Sequence, residues 1–165
     1  MATPKDVIVQ QLHSGQYLID KLTADLSDAE YFRPPIPGGN HTAWIIGHIA
    51  CSEDSIIAAI TGSPSRLPEA THKLFKGGAP CTADAGTFPP RKQIDEMFRN
   101  SRAHTLEAVK AFNMSLWDNP SPEGWTKDVF PTLGSMWALQ GTHQYWHIGQ
   151  LTVCRKAMGK KQVLG

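Results

Sequence analysis

Apolar residues recur along this chain at steps of three and four, and four stretches carry the pattern long enough to bury one face of a helix. In the first, Ile8, Leu12, Gly15, Ile19, Leu22 and Leu26 form one stripe and predict a helix from about Pro4 to Leu26, with Ser27 and Asp28 capping a short turn after it. The run Arg33-Pro34-Pro35-Ile36-Pro37-Gly38-Gly39 then breaks the pattern, because proline removes backbone donors and glycine loosens the chain. Asn40 is a favoured cap for a second helix from His41 to Thr61, with Trp44, Ile45, His48, Ile49, Ser52, Ile56 and Ile60 facing inward and Gly62 as the stop.

From Ser63 to Pro90 the chain is rich in Pro, Gly, Thr and Ala and reads as a long crossover, with one short helical turn near His72 to Phe75. A third helix starts at Pro90 or Arg91 and carries Ile94, Phe98, Ser101, Thr105, Ala108 and Phe112 on one stripe. A second connector, Asn113 to Pro131, holds Trp117 and Trp125, and Thr132 caps a fourth helix that runs to about Met158. No stretch alternates with the period of a strand. The expectation is a single all-α domain over residues 1–165, a four-helix bundle with a long crossover between helices 2 and 3.

The fourth helix is apolar on more than one side. Leu139, Trp146 and Val153 form one row, and Met136, Gln140, His143, His147 and Cys154 form a second row beside it, so the helix is expected to be buried nearly all round. Buried polar groups need partners, and here two imidazoles and two glutamines lie without a nearby carboxylate. His143 and His147 stand four residues apart, a spacing that stacks side chains on one helix face with Cβ atoms about 5–6 Å apart and lets both rings reach one ion. Seven histidines in 165 residues produce roughly 0.3 such pairs by chance, so the spacing alone decides nothing. A zinc-like ion needs a third ligand, and His48 on the second helix is the best candidate.

Composition narrows the class of function. Lys and Arg number 16 against 15 Asp and Glu, for a formal net charge of +1 without long blocks of either sign, which offers no electrostatic footprint for nucleic acid or an anionic membrane. Cys51, Cys81 and Cys154 are odd in number and widely spaced, consistent with reduced thiols and a cytoplasmic protein. The N-terminus lacks the apolar core of a signal peptide.

Taken together, Asn40-His41-x-Ala43-Trp44-x-x-Gly47-His48 at the start of the second helix and His143-x-x-x-His147-x-Gly149-Gln150-Leu151 in the fourth resemble the DinB-like (damage-inducible) superfamily, over nearly the whole chain. That resemblance implies a four-helix bundle in which His48, His143 and His147 bind one divalent metal, zinc or nickel, with a position left for water or substrate. It also implies kinship with metalloenzymes and thiol-dependent transferases, and, since such bundles often pair through helix faces, a homodimer. Three neutral imidazoles suit a borderline transition metal and leave it electrophilic.

Around this trio, Gln140, Gln144 and Gln150 are candidates to accept or orient the second N–H of a ligating ring. Trp44 and Trp146 are candidates for pocket walls, and His41 for a helix-start or pocket-lining residue. His13 and Cys51 are at best spare ligands, and His72 and His104 read as loop and surface residues. Gly47, Gly141 and Gly149 suggest close helix approach. No general base is identified, because Glu53 and Asp54 share the face of His48 poorly and the last motif departs from H-E-x-x-H. Three functions follow: a metal-dependent hydrolase or thiol transferase acting on a small molecule, a non-catalytic metal- or ligand-binding bundle closed by a fourth protein ligand, and a structural bundle with satisfied core histidines.

Overall fold

A computed structural model describes residues 2–82, 84–124 and 128–163, so Trp125 of the second connector lies outside the described residues. It contains α1 (Pro4–Thr23), α2 (Asp28–Tyr31), α3 (Thr42–Thr61), α4 (Glu69–Phe75), α5 (Arg91–Ala111) and α6 (Leu133–Ala157), with two single 3-10 turns and, among the described residues, no strand. The helix ends follow from local chemistry. Thr3, Ser27 and Thr132 each close a capping box with the residue three positions on, and Gly62, at φ 70°, ends α3 in the left-handed conformation that glycine adopts without a Cβ penalty.

Two starts and stops differ from expectation. The first helix stops at Thr23, and Leu26 is buried from the turn that leads into α2. His41, not Asn40, caps α3, its ring Nδ1 accepting the Trp44 N–H at 3.0 Å.

The four long helices pack in a ring, α1 against α5 and α6, and α3 against α5 and α6, which is the four-helix bundle with its crossover between α3 and α5. Within the crossover α4 lies back on α3. By length and composition α3 is apolar enough to cross a membrane, yet most of it is buried inside the protein, as expected of the central helix of a bundle.

One polar network sits at the centre of this apolar packing. The Arg102 guanidinium donates to the Glu53 carboxylate at 2.9 Å, to the Gln144 amide oxygen at 2.9 Å and to the Leu12 carbonyl, while Thr105 donates to Glu53 at 3.1 Å and accepts from Gln140 at 3.2 Å. Gln144 in turn donates to the Gln11 carbonyl at 3.0 Å. All four long helices therefore meet in a single hydrogen-bonded cluster. Gln140 and Gln144 belong to it rather than to the histidine trio. The reason is geometric: a glutamine one turn from a histidine reaches whatever neighbouring helix it faces, and here that is α5 and α1.

The two predicted rows of α6 also part ways. Met136, Gln140, His147 and Cys154 are buried, but Trp146 is 74% exposed and Val153 56% exposed, so the other row turns to solvent beyond Leu139, which stays packed on the core. Among its glycines, Gly141 faces Gln11, where a Cβ would meet the side-chain oxygen at 2.0 Å, while Gly149 has open space and no close neighbour.

Candidate metal centre

His48 of α3 and His143 and His147 of α6 converge, with their candidate ligand atoms all within 4.8 Å of one another. Nε2 of His143 and Nε2 of His147 are 3.0 Å apart, and the His48 ring centre lies 4.7 Å from that of His147 and 5.3 Å from that of His143. A tetrahedral zinc with bonds of 2.0–2.1 Å holds its nitrogens about 3.4 Å apart, so the trio needs small side-chain adjustments to close on one ion. Among the described residues, the group contains no carboxylate or thiol.

Two of the three rings are keyed by an oxygen acceptor, which fixes the tautomer a ligand needs. His147 donates from Nδ1 to the Gln150 side-chain oxygen at 2.8 Å, one helical turn on. His48 donates from Nδ1 to the Phe75 carbonyl at 2.7 Å, at the end of α4. With both Nδ1–H groups occupied, Nε2 of each ring keeps its lone pair.

Gly47 makes the second arrangement possible. A Cβ there would meet the Phe75 ring at 2.3 Å, so only glycine lets the end of α4 come close enough to α3 for its carbonyl to reach His48. Trp44 stacks on His48, centroids 4.8 Å apart and planes within 7°, and holds the ring from the other side.

Burial keeps these rings uncharged. It pushes His143 down to about 3, with the neighbouring His147 and His48 adding to the effect, and His147 down to about 4 despite the opposing Gln150 bond. His48 is lowered for the same primary reason. Neutral imidazoles are the form that ligates a metal.

The sign of the pH dependence follows. Unfolded histidines titrate near 6.5, so between that value and about 4 the unfolded chain binds protons that the folded, metal-free protein does not. Stability contributed by these neutral rings is complete above pH 6.5 and is lost as pH falls toward 4. Urea unfolding of the metal-free protein in chelator at pH 7.5 and 4.5 is expected to lose on the order of a few kcal/mol at the lower pH, and a His143→Gln/His147→Gln variant should flatten that slope. An unchanged slope would contradict the burial of the two rings.

The other candidates lie in different places. His41 is the α3 cap, fully buried against Phe88 at 4.8 Å between ring centres, and does not reach the trio. Trp146 stands outside the bundle with its ring 6.4 Å from His143, so it flanks the site from solvent instead of walling a buried pocket. Cys51 is buried and its thiol is pushed up to about 12 by burial, then by Asp54, which makes it a small apolar group and not a thiolate. His13 is exposed.

A cavity of about 460 Å³ opens beside the trio, and His48, Ser52 and Ser55 of α3, His72 of α4, and Leu139 and His143 of α6 line it. The sequence put His72 at a short helical turn, which α4 bears out, but read its side chain as a loop and surface group, which it is not. It sits on α4, with Nε2 3.0 Å from the Asp54 carboxylate. The pair is 18 residues apart across an irregular crossover, where no spacing rule applies. One hint was present, since Glu53 and Asp54 are adjacent charges in an otherwise apolar helix and both must find partners.

The sequence model of the DinB superfamily matches residues 11–151. Among solved structures, one similar chain is described as "Crystal structure of the conserved protein of locus from Enterococcus faecalis". It has a TM-score of 0.76 and 17% sequence identity, and the alignment covers 97% of this chain and 100% of that one. At that identity the likeness concerns the fold. Comparison with curated proteins gives no match.

Proposed function

The chain belongs to the DinB superfamily, and from that premise we propose that it is a metal-dependent enzyme in which His48, His143 and His147 hold one divalent transition metal, zinc or nickel, beside a small-molecule pocket. A bound ion of this kind supplies Lewis acidity and lowers the pKa of a water or thiol. The chemistry that fits is hydrolysis or transfer of a low-molecular-weight thiol in the cytoplasm. One observation carries the reading: three neutral imidazoles, two of them keyed through Nδ1, converge at the edge of a cavity large enough for a substrate.

An open rather than a closed site is supported by the ligand set. A purely storage or sensing site would be completed by a fourth protein ligand, and the two spare candidates, Cys51 and His13, are a protonated buried thiol and an exposed ring. The chain's own residues then bind and exclude water: Leu139 and Phe75 supply apolar wall, and Ser52 places a hydroxyl beside His48, 3.4 Å from Nε2, on the cavity side.

The test is elemental analysis of protein purified without chelator or metal-affinity resin and then dialysed against zinc or nickel. Close to one ion per chain is expected, and His48→Ala should hold none. A screen of the loaded protein with esters and with thiol and electrophile pairs follows. Absence of bound metal in the wild-type protein would end the proposal.

A further inference from the structure

The second end of the cavity holds a group that the metal reading does not use. Asp54 is buried on α3 and accepts from the Ser65 hydroxyl, from the Arg66 N–H at 3.0 Å and from the Leu67 N–H at 3.3 Å, in addition to His72. Burial alone would raise its pKa, but those hydrogen bonds outweigh it and hold the carboxyl below the usual range. Asp54 is therefore ionised and cannot donate, and the Ser65 hydroxyl, 2.9 Å from His72 Nε2, gives its one proton to Asp54, so the proton at Nε2 belongs to His72. A neutral His72 then has its lone pair on Nδ1, and Nδ1 faces the Ser55 hydroxyl at 3.4 Å on the cavity wall.

We propose that His72, oriented by Asp54 and reached through Ser55, is the proton-accepting group of this cavity, taking the proton of the water or thiol nucleophile bound next to His48. The proposal rests on the metal reading above and supplies the base that residue spacing alone did not identify. Its geometry runs along one face of α3. His48, Ser52 and Ser55 are spaced by four and three residues, so they form one row about 10 Å long.

Ser52 touches His48 at one end and Ser55 touches His72 at the other. Ser52 and Ser55 are about 5–6 Å apart at Cβ, the gap that a nucleophile in the cavity occupies. The X–H bond of that nucleophile breaks as its proton passes to the Ser55 oxygen, and the Ser55 proton passes to His72 Nδ1. The products are X⁻ and an imidazolium beside the Asp54 carboxylate, with charge balanced and no further reactant required. Asp54 is a positioning residue in this scheme.

The other titratable and charged groups around His72 are Cys51 on α3, Glu69 and Lys73 on α4, which pair with each other at 2.7 Å, Lys76 at the end of α4, and His48 and His143 at the far side of the cavity. None of them competes for Nδ1 among the contacts described.

Two readouts test the proposal on the full chain. In nitrogen-15 spectra of the protein, with or without zinc, neutral His72 should be the Nε2–H tautomer with an unprotonated Nδ1, whether or not the protein turns over any substrate. With 4-nitrophenyl acetate as probe, His72→Gln and Ser55→Ala should keep the zinc content and lower the rate at least about tenfold, because general acid–base groups contribute on the order of 10²–10⁴-fold.

An Nδ1–H tautomer in the wild type, or variant rates within about twofold of wild type on a probe the wild type turns over, would overturn it. Ser55→Ala leaves the Asp54–His72 contact intact, so it serves if His72→Gln folds poorly. If the wild type binds no zinc, the metal reading fails by itself, and the tautomer still decides the assignment of His72.

Discussion

Replacing Arg102 by alanine is expected to cost about 3–5 kcal/mol of folding stability, the magnitude measured when one partner of a buried ion pair is removed. Arg102 is 4% exposed and Glu53 3% exposed, so no solvent reaches the carboxylate left behind. The loss goes beyond one pair. The same guanidinium satisfies the Gln144 side chain and the Leu12 carbonyl, and it lies 5.0 Å over the Phe98 ring.

For a chain of this size each kcal/mol moves Tm by about 2–4 °C, so a drop on the order of 10 °C is expected by circular dichroism. Arg102→Met combined with Glu53→Leu should recover part of the loss, since removing both charges leaves no uncompensated ion in the core. A single-variant cost below about 1 kcal/mol would mean that the network is dispensable.

Saturating zinc should raise the stability of the wild-type protein by about 4 kcal/mol at a free metal concentration a thousand times Kd, because the unfolded chain does not hold three imidazoles together. His147→Ala should lose nearly all of that gain. His147 is the most buried of the three rings and the one keyed by Gln150, so its removal takes away a ligand and the orientation supplied with it. Thermal unfolding with zinc and then with excess chelator measures the difference. An equal zinc-dependent shift in His147→Ala and wild type would place the ion elsewhere.

The two effects separate the bundle from its site. Glu53, Arg102, Thr105, Gln140 and Gln144 set the register of four helices without touching the histidine trio. Asp54, adjacent to Glu53 in sequence, faces the other way and ties the crossover down onto α3 through Ser65, Arg66, Leu67 and His72. Neighbouring residues on a helix point about 100° apart, so two consecutive carboxylates serve the core and the pocket separately.

What the sequence determined by itself is whatever repeats with the helical period or is spelled by adjacent residues. The long helices, their caps at Thr132 and Gly62, the interruption at Pro34 to Gly39, and the four-residue step from His143 to His147 are of this kind, since each depends on contacts within a turn or two of one helix. His48 joined them through motif resemblance, and α3 and α6 packing face to face brings it to the pair.

The tertiary structure alone decided which neighbour each polar side chain meets. Gln140 and Gln144 turn to Arg102 and Thr105, Trp146 turns to solvent, and a backbone carbonyl at Phe75 orients His48. Period and spacing specify a face of a helix. What stands opposite that face depends on how helices far apart in sequence are arranged, and for His72 on where an irregular crossover sets down a two-turn helix.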